Sequence, residues 1–219
     1  MTSAKRRRND LVHRLGIEPT IAARLKGTLG PAVDAAAARS PGGVTVLDAG
    51  CGRTSPLISF RDRIDRFVGV DIHAPATPLP YLDEFATVDL CGDGRSFAEG
   101  SFDLVLSNPP YLAIGEAPHL PPTVRDHDPR RALFAGDDGM AAIRHLLATA
   151  PAALAEGGLL VFEIGFGQAE AVRSEILARP AWRFVAIEDD LEGIPRICIA
   201  RRESAAERAG RIRRPWTGS

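Results

Sequence analysis

The chain is 219 residues long, 45% hydrophobic and 25% charged, with a net charge of −1, the make-up of one globular domain with a small appendage. No apolar run reaches the ~20 residues that span a bilayer, and the basic N-terminus lacks the apolar stretch of a secretory signal. Three scattered cysteines, Cys51, Cys91 and Cys198, form no metal-ligand pattern, so no metal site and a reducing cytoplasm are expected.

Charge is unevenly spread. Residues 1–30 hold seven Lys or Arg against two acids and residues 201–219 six Arg against two, which leaves 14 basic and 24 acidic residues between them, a net of −10. The basic ends are either solvated tails or a route to nucleic acid. The expected organisation is a short N-terminal helical segment with a basic tail (1–42), a main domain (43–202) and a basic C-terminal tail (203–219).

In chain order, one or two short helices are expected around Ile21–Leu29 and Ala32–Arg39, followed by a Pro41-Gly42-Gly43 link. Strands are expected over Val44–Ala49, Arg66–Asp71, Phe85–Asp89, Phe102–Ser107 and Leu159–Ile164. These are short apolar runs without alternation, as in parallel strands buried on both faces under helices. Trp182–Glu188 and Ile194–Arg201 flank a turn-rich segment and read as an antiparallel hairpin at the sheet edge. Helices are expected over Asp138–Leu154, with Asp137 or Asp138 as N-cap and a kink at Pro151, and over Gln168–Leu177. Three prolines keep residues 74–82 from forming a helix. Residues 112–131 read as a long irregular loop, of the kind that serves as a lid.

Two motifs stand at strand ends. Asp48-x-Gly50-x-Gly52 gives a tight turn that lets a ligand approach the backbone. Asp71, ending the next strand, is placed to accept from ribose hydroxyls, and Asp89, ending the third, to meet an adenine amino group. A dinucleotide fingerprint would need its last glycine at Ser55, so that rival fails. The second motif is Asn108-Pro109-Pro110-Tyr111. Its prolines fix φ and remove two N–H donors. An Asn amide at a strand tip and a neighbouring ring suit a planar nitrogen held for group transfer. The competing reading is a proline turn started by Asn.

Together these features resemble class I S-adenosylmethionine-dependent methyltransferases. From Phe102 to about Arg202 the chain closely resembles the HemK/PrmC protein-(glutamine-N5) methyltransferases, which act on peptide chain release factors. The resemblance is carried by Ser107 to Tyr111, Asp126-His127-Asp128-Pro129, Ala132-Leu133 and Gly136-Asp137-Asp138-Gly139-Met140. It continues through Leu154, Gly157-Gly158, Phe162-Glu163-Ile164-Gly165, Gln168-Ala169, Asp190-Leu191 and Arg196. It implies a Rossmann-like α/β fold, mostly parallel with an antiparallel C-terminal hairpin and helices on both faces. It implies S-adenosylmethionine held by Asp48, Gly50, Gly52, Asp71, Asp89 and Asn108. It also implies a protein acceptor bound by Asn108, Pro109, Pro110 and Tyr111, with Asn108, Pro109 and Tyr111 catalytic, and Asp126, His127 and Asp128 shaping the loop over the site. Asn-Pro-Pro-Tyr is shared with adenine-N6 DNA methyltransferases, so the motif alone leaves nucleic-acid adenine or a small-molecule acceptor open.

Overall fold

Seven short strands make one sheet in the order β3-β2-β1-β4-β5-β7-β6. They are β1 (Thr45–Ala49), β2 (Arg66–Asp71), β3 (Glu84–Thr87), β4 (Phe102–Ser107), β5 (Leu154–Glu163), β6 (Trp182–Asp189) and β7 (Pro195–Arg202). The computed structural model describes residues 19–89, 97–121, 129–190 and 192–212. Strands β1 to β5 pair in parallel, and β7 pairs antiparallel with both β5 and β6. The expected mostly parallel sheet with an antiparallel hairpin is therefore present.

The unalternating apolar runs bury residues on both faces. Val46, Leu104, Leu106 and Val161 pack with Leu29, Val33 and Ala36 of helix α1 (Pro19–Arg39). Leu47, Val105, Leu160 and Phe162 pack with Ile143 and Leu147 of α3 (Ala141–Ala153) and Val172 and Ile176 of α4 (Ala169–Leu177). The single-residue offset between the two sets is the period of a strand. Between α1 and α3 lies the four-residue α2 (Arg130–Leu133), and α5 (Ala205–Ile212) ends the described chain.

The structure corrects several sequence-based expectations. The N-terminal helix is one element that runs through Pro31. An interior proline costs a helix ~3 kcal/mol, and the fully buried Leu29 and Val33 on either side show the packing that outweighs it. Strand β3 stops at Thr87, because its neighbour β2 ends in register at Asp71; Asp89 thus lies two residues past the strand. Strand β5 starts five residues early, at Leu154, with a register shift opposite Phe102 and Leu104. Met140, and not Asp137 or Asp138, occupies the N-cap of α3, while Asp138 accepts from the Met140 amide at 3.0 Å. Part of the supposed tail is helix α5, where Glu207 binds Arg201 at 2.6 Å. Residues 112–131 are not one irregular loop: a 3-10 helix spans Ile114–His119, and Leu112 bridges to Phe134. Asp126, His127, Asp128, Leu191, Cys91, Lys5, Arg6, Arg7, Arg8, Arg213 and Arg214 lie outside the described residues. Between β2 and β3 no helix forms among the described residues, as the prolines of 74–82 require. No helix of the described residues is long and apolar enough to cross a membrane.

Candidate active site

Strands β1 and β4 are neighbours, with Ala49 opposite Ser107. This register alone sets the glycine motif beside Asn-Pro-Pro-Tyr. The Ser107 hydroxyl donates to the Ala49 carbonyl at 2.9 Å inside the protein. A Cβ on Gly50 would point at the Asn108 carbonyl oxygen, 4.0 Å away.

The glycine loop folds back on β2. The amides of Gly50 and Cys51 both donate to the Val70 carbonyl, at 2.8 and 3.0 Å. Gly50 and Gly52 have φ of +87° and +55°, the left-handed region that side chains resist. Asp71 braces the loop, its Oδ2 accepting from the Gly52 amide at 2.9 Å and its Oδ1 from His73 at 3.1 Å. Each carboxylate oxygen keeps further lone pairs for a ligand hydroxyl. Asp89 is half exposed and faces Arg131 at 3.7 Å.

Asp48 is the unusual member. Its carboxyl is buried, and Oδ2 has no hydrogen-bond partner among the described residues. Burial pushes its pKa up to about 7, against a hydrogen bond from Ser55, with Asp71 adding repulsion. Unfolded, the group would titrate near 3.8. Between those values the folded state holds the proton and the unfolded state does not, so this group makes stability fall as pH rises to about 7 and contributes no slope above that. Asp48→Asn should remove that fall. Urea unfolding at pH 5 and pH 8 should show the wild type losing on the order of 2–4 kcal/mol more than the variant. An identical difference in the two proteins would place the Asp48 titration elsewhere.

Asn108 is exposed at the tip of β4, and no described residue hydrogen-bonds its side chain. Pro109 is buried, Pro110 is half-buried, and no described residue donates to the Pro109 carbonyl. Tyr111 turns inward. It is 8% exposed, and its hydroxyl donates to Glu163 Oε1 at 3.0 Å. Burial, and then the neighbouring Glu163, raise the tyrosine pKa far beyond its ordinary value. Burial also pushes Glu163 up to about 7, against the Tyr111 bond and the Arg196 charge.

Two glycines and a glutamine complete the seat of Tyr111. Gln168 Nε2 donates to its carbonyl at 3.0 Å and to that of Gly139 at 3.2 Å, while Gln168 Oε1 accepts from the Gly165 amide at 2.8 Å. A Cβ on Gly139 would lie 2.4 Å from the Tyr111 carbonyl oxygen, and one on Gly165 3.1 Å from the ring. Behind them Arg196 is fully buried, its Nη1 donating to Ile164 at 3.3 Å and its Nε 3.9 Å from the buried Asp190. Glu163, Gly165, Gln168, Asp190 and Arg196 entered the sequence reading only through the family resemblance, without a role. Their common destination is set by tertiary pairing, which spacing does not reveal.

The strand order and the crossover helices define a class I methyltransferase fold. The N-methyltransferase NodS of Bradyrhizobium japonicum shares that fold, with a TM-score of 0.53 and 17% identity over 87% of this chain and 100% of that one. No family model matches the chain. Its sequence is similar to the release factor glutamine methyltransferase of Neisseria gonorrhoeae, 35% identical over 182 residues, or 77% of this chain and 64% of the relative. That of Bradyrhizobium diazoefficiens is 44% identical over 103 residues, 47% of this chain and 35% of the relative. The chain thus spans between about a third and two thirds of the length of these relatives. Over that span its sequence is similar to release factor glutamine methyltransferases, and its fold is the one NodS has.

Proposed function

We propose that this chain transfers a methyl group from S-adenosylmethionine to the side-chain amide nitrogen of a glutamine in a peptide chain release factor. The observation that carries the reading is Asn108. It is an exposed amide with no partner among the described residues, on a rigid two-proline turn, beside a glycine loop preceded by Asp48, whose buried Oδ2 lacks a hydrogen-bond partner among them.

The residues present fit the cofactor. A buried acceptor without a partner is costly unless a donor arrives, and Asp48 Oδ2 is such an acceptor for the ammonium of the methionine end. Gly50 and Gly52 leave the loop open to close approach, and Asp71 would accept from the ribose hydroxyls. Asp89 is the candidate for the adenine amino group. Bound there, S-adenosylmethionine supplies an electrophilic methyl on a sulfonium.

The chain's own task is to make a poor nucleophile reactive. A glutamine nitrogen has its lone pair delocalised into the carbonyl. Asn108 Oδ1 and the Pro109 carbonyl would accept its two hydrogens, which orients the lone pair and places acceptors where positive charge develops. No base is needed before transfer, because the nitrogen becomes acidic only once it carries the methyl.

Asp71→Ala should weaken S-adenosylmethionine binding by about 1.5–3 kcal/mol if the ribose bonds are charge-assisted, read by calorimetric titration. Equal affinity would remove Asp71 from the ribose. The acceptor class is tested by transferring radiolabelled methyl into a cell lysate and separating protein, nucleic acid and small molecules. Label in the protein fraction is expected; label confined to either other fraction would overturn the proposal.

A further inference from the structure

Asn-Pro-Pro-Tyr is held at both ends and open in the middle. At one end, the Ser107 hydroxyl is bonded to Ala49; at the other, the Tyr111 hydroxyl is bonded to Glu163. Both bonds are buried. Between them stand two prolines whose φ angles are fixed, so a shift of Tyr111 is passed on to Asn108 and is not absorbed along the way. The choice of groups is informative. A Phe against a Leu would fill this space without burying a charge. The chain instead keeps a carboxylate that is 5% exposed, and balances it with the fully buried Arg196. Buried ionic groups of this kind are weak sources of stability. What a carboxylate offers that a methyl group does not is direction, because it fixes where the hydroxyl points.

We propose that Glu163 is a positioning residue for methyl transfer: its bond to the Tyr111 hydroxyl sets the turn that presents Asn108 and the Pro109 carbonyl to the acceptor. This rests on the glutamine-methylating reading above. Among the described residues Glu163 makes no hydrogen bond to Asp48, Gly50, Gly52 or Asp71, so it acts on the acceptor side and leaves cofactor binding alone.

The test is a double-mutant cycle of Glu163→Leu with Tyr111→Phe, with Glu163→Gln as the conservative variant. Methylation of a release factor gives kcat and KM, calorimetry gives S-adenosylmethionine affinity, and hydrogen exchange at the Leu112 and Ala113 amides reports on the turn without any acceptor. Displacement of reacting groups by about 1 Å can cost up to ~10²-fold. E163L and Y111F should each lower kcat about 10- to 10²-fold on that scale. The double variant should be no worse than either, cofactor affinity unchanged, and E163Q closest to wild type because its amide oxygen still accepts.

A wild-type kcat in E163L would overturn the proposal. So would multiplicative losses in the double variant, or a loss of cofactor affinity that tracks kcat. If E163L does not fold, Y111F and E163Q decide: Y111F at wild-type kcat overturns the proposal, and E163Q far slower than Y111F does too. If the wild type methylates no release factor, the glutamine reading has failed and exchange decides alone. Faster exchange at Leu112 and Ala113 in Y111F supports the positioning role, and unchanged exchange overturns it.

Discussion

Asn108→Ala is expected to keep the cofactor and lose the chemistry. The side chain sits outside the glycine loop's own hydrogen bonds, which run to Val70 and Asp71. Titration with S-adenosylmethionine should therefore give nearly the wild-type affinity. Removal of one preorganised group that meets developing charge typically costs about 10²–10³ in kcat, by analogy with an oxyanion-hole donor. Asn108→Asp is the finer variant. A carboxylate still accepts, so it should lose less than Ala on a glutamine acceptor. If both variants methylate as fast as wild type, Asn108 merely starts a turn.

Arg196→Met is expected to be the most destabilising single change among the site's surroundings. The guanidinium is fully buried, and its charge offsets two carboxylates that are each 5% exposed, Glu163 and Asp190. Breaking a buried ion pair by removing one partner typically costs about 3–5 kcal/mol. Two of its nitrogens, Nε and Nη2, make no hydrogen bond among the described residues, so charge balance and not bond geometry is the main contribution. Asp190→Asn on top of Arg196→Met should recover part of the loss. An Asn oxygen can still accept from the Glu192 and Ile194 amides, which Asp190 Oδ1 receives at 2.9 and 3.0 Å. Urea denaturation measures both. A loss under 1 kcal/mol for Arg196→Met, or a double variant less stable than the single one, would contradict the role given to the charge.

The elements legible in the sequence are those whose limits are written locally. β2 and β4 match their expected spans, Arg66–Asp71 and Phe102–Ser107, because each apolar run is closed by a polar residue or a proline. The expected end of β3, Asp89, lies two residues beyond the observed Thr87, because that end is dictated by the length of its neighbour. The start of β5 is hidden because Gly157-Gly158 reads as the stop of the preceding helix, yet the register shift opposite β4 carries the strand through it. The same division holds in the site. Asp48, Gly50, Asp71 and Asn108 could be found from strand ends alone. The inward turn of Tyr111 could not, since its partner Glu163 lies 52 residues away and the close approach of Gly139 and Gly165 to Tyr111 arises only in space.

The most direct test of the central claim is site mapping by tandem mass spectrometry. The chain, S-adenosylmethionine carrying an isotopically labelled methyl and a purified peptide chain release factor are incubated together, and the release factor is digested. One labelled methyl is expected on the side-chain nitrogen of a glutamine, absent when Asn108→Ala replaces the wild type. An unlabelled release factor under conditions where the chain binds S-adenosylmethionine, or label on any residue other than glutamine, would contradict it.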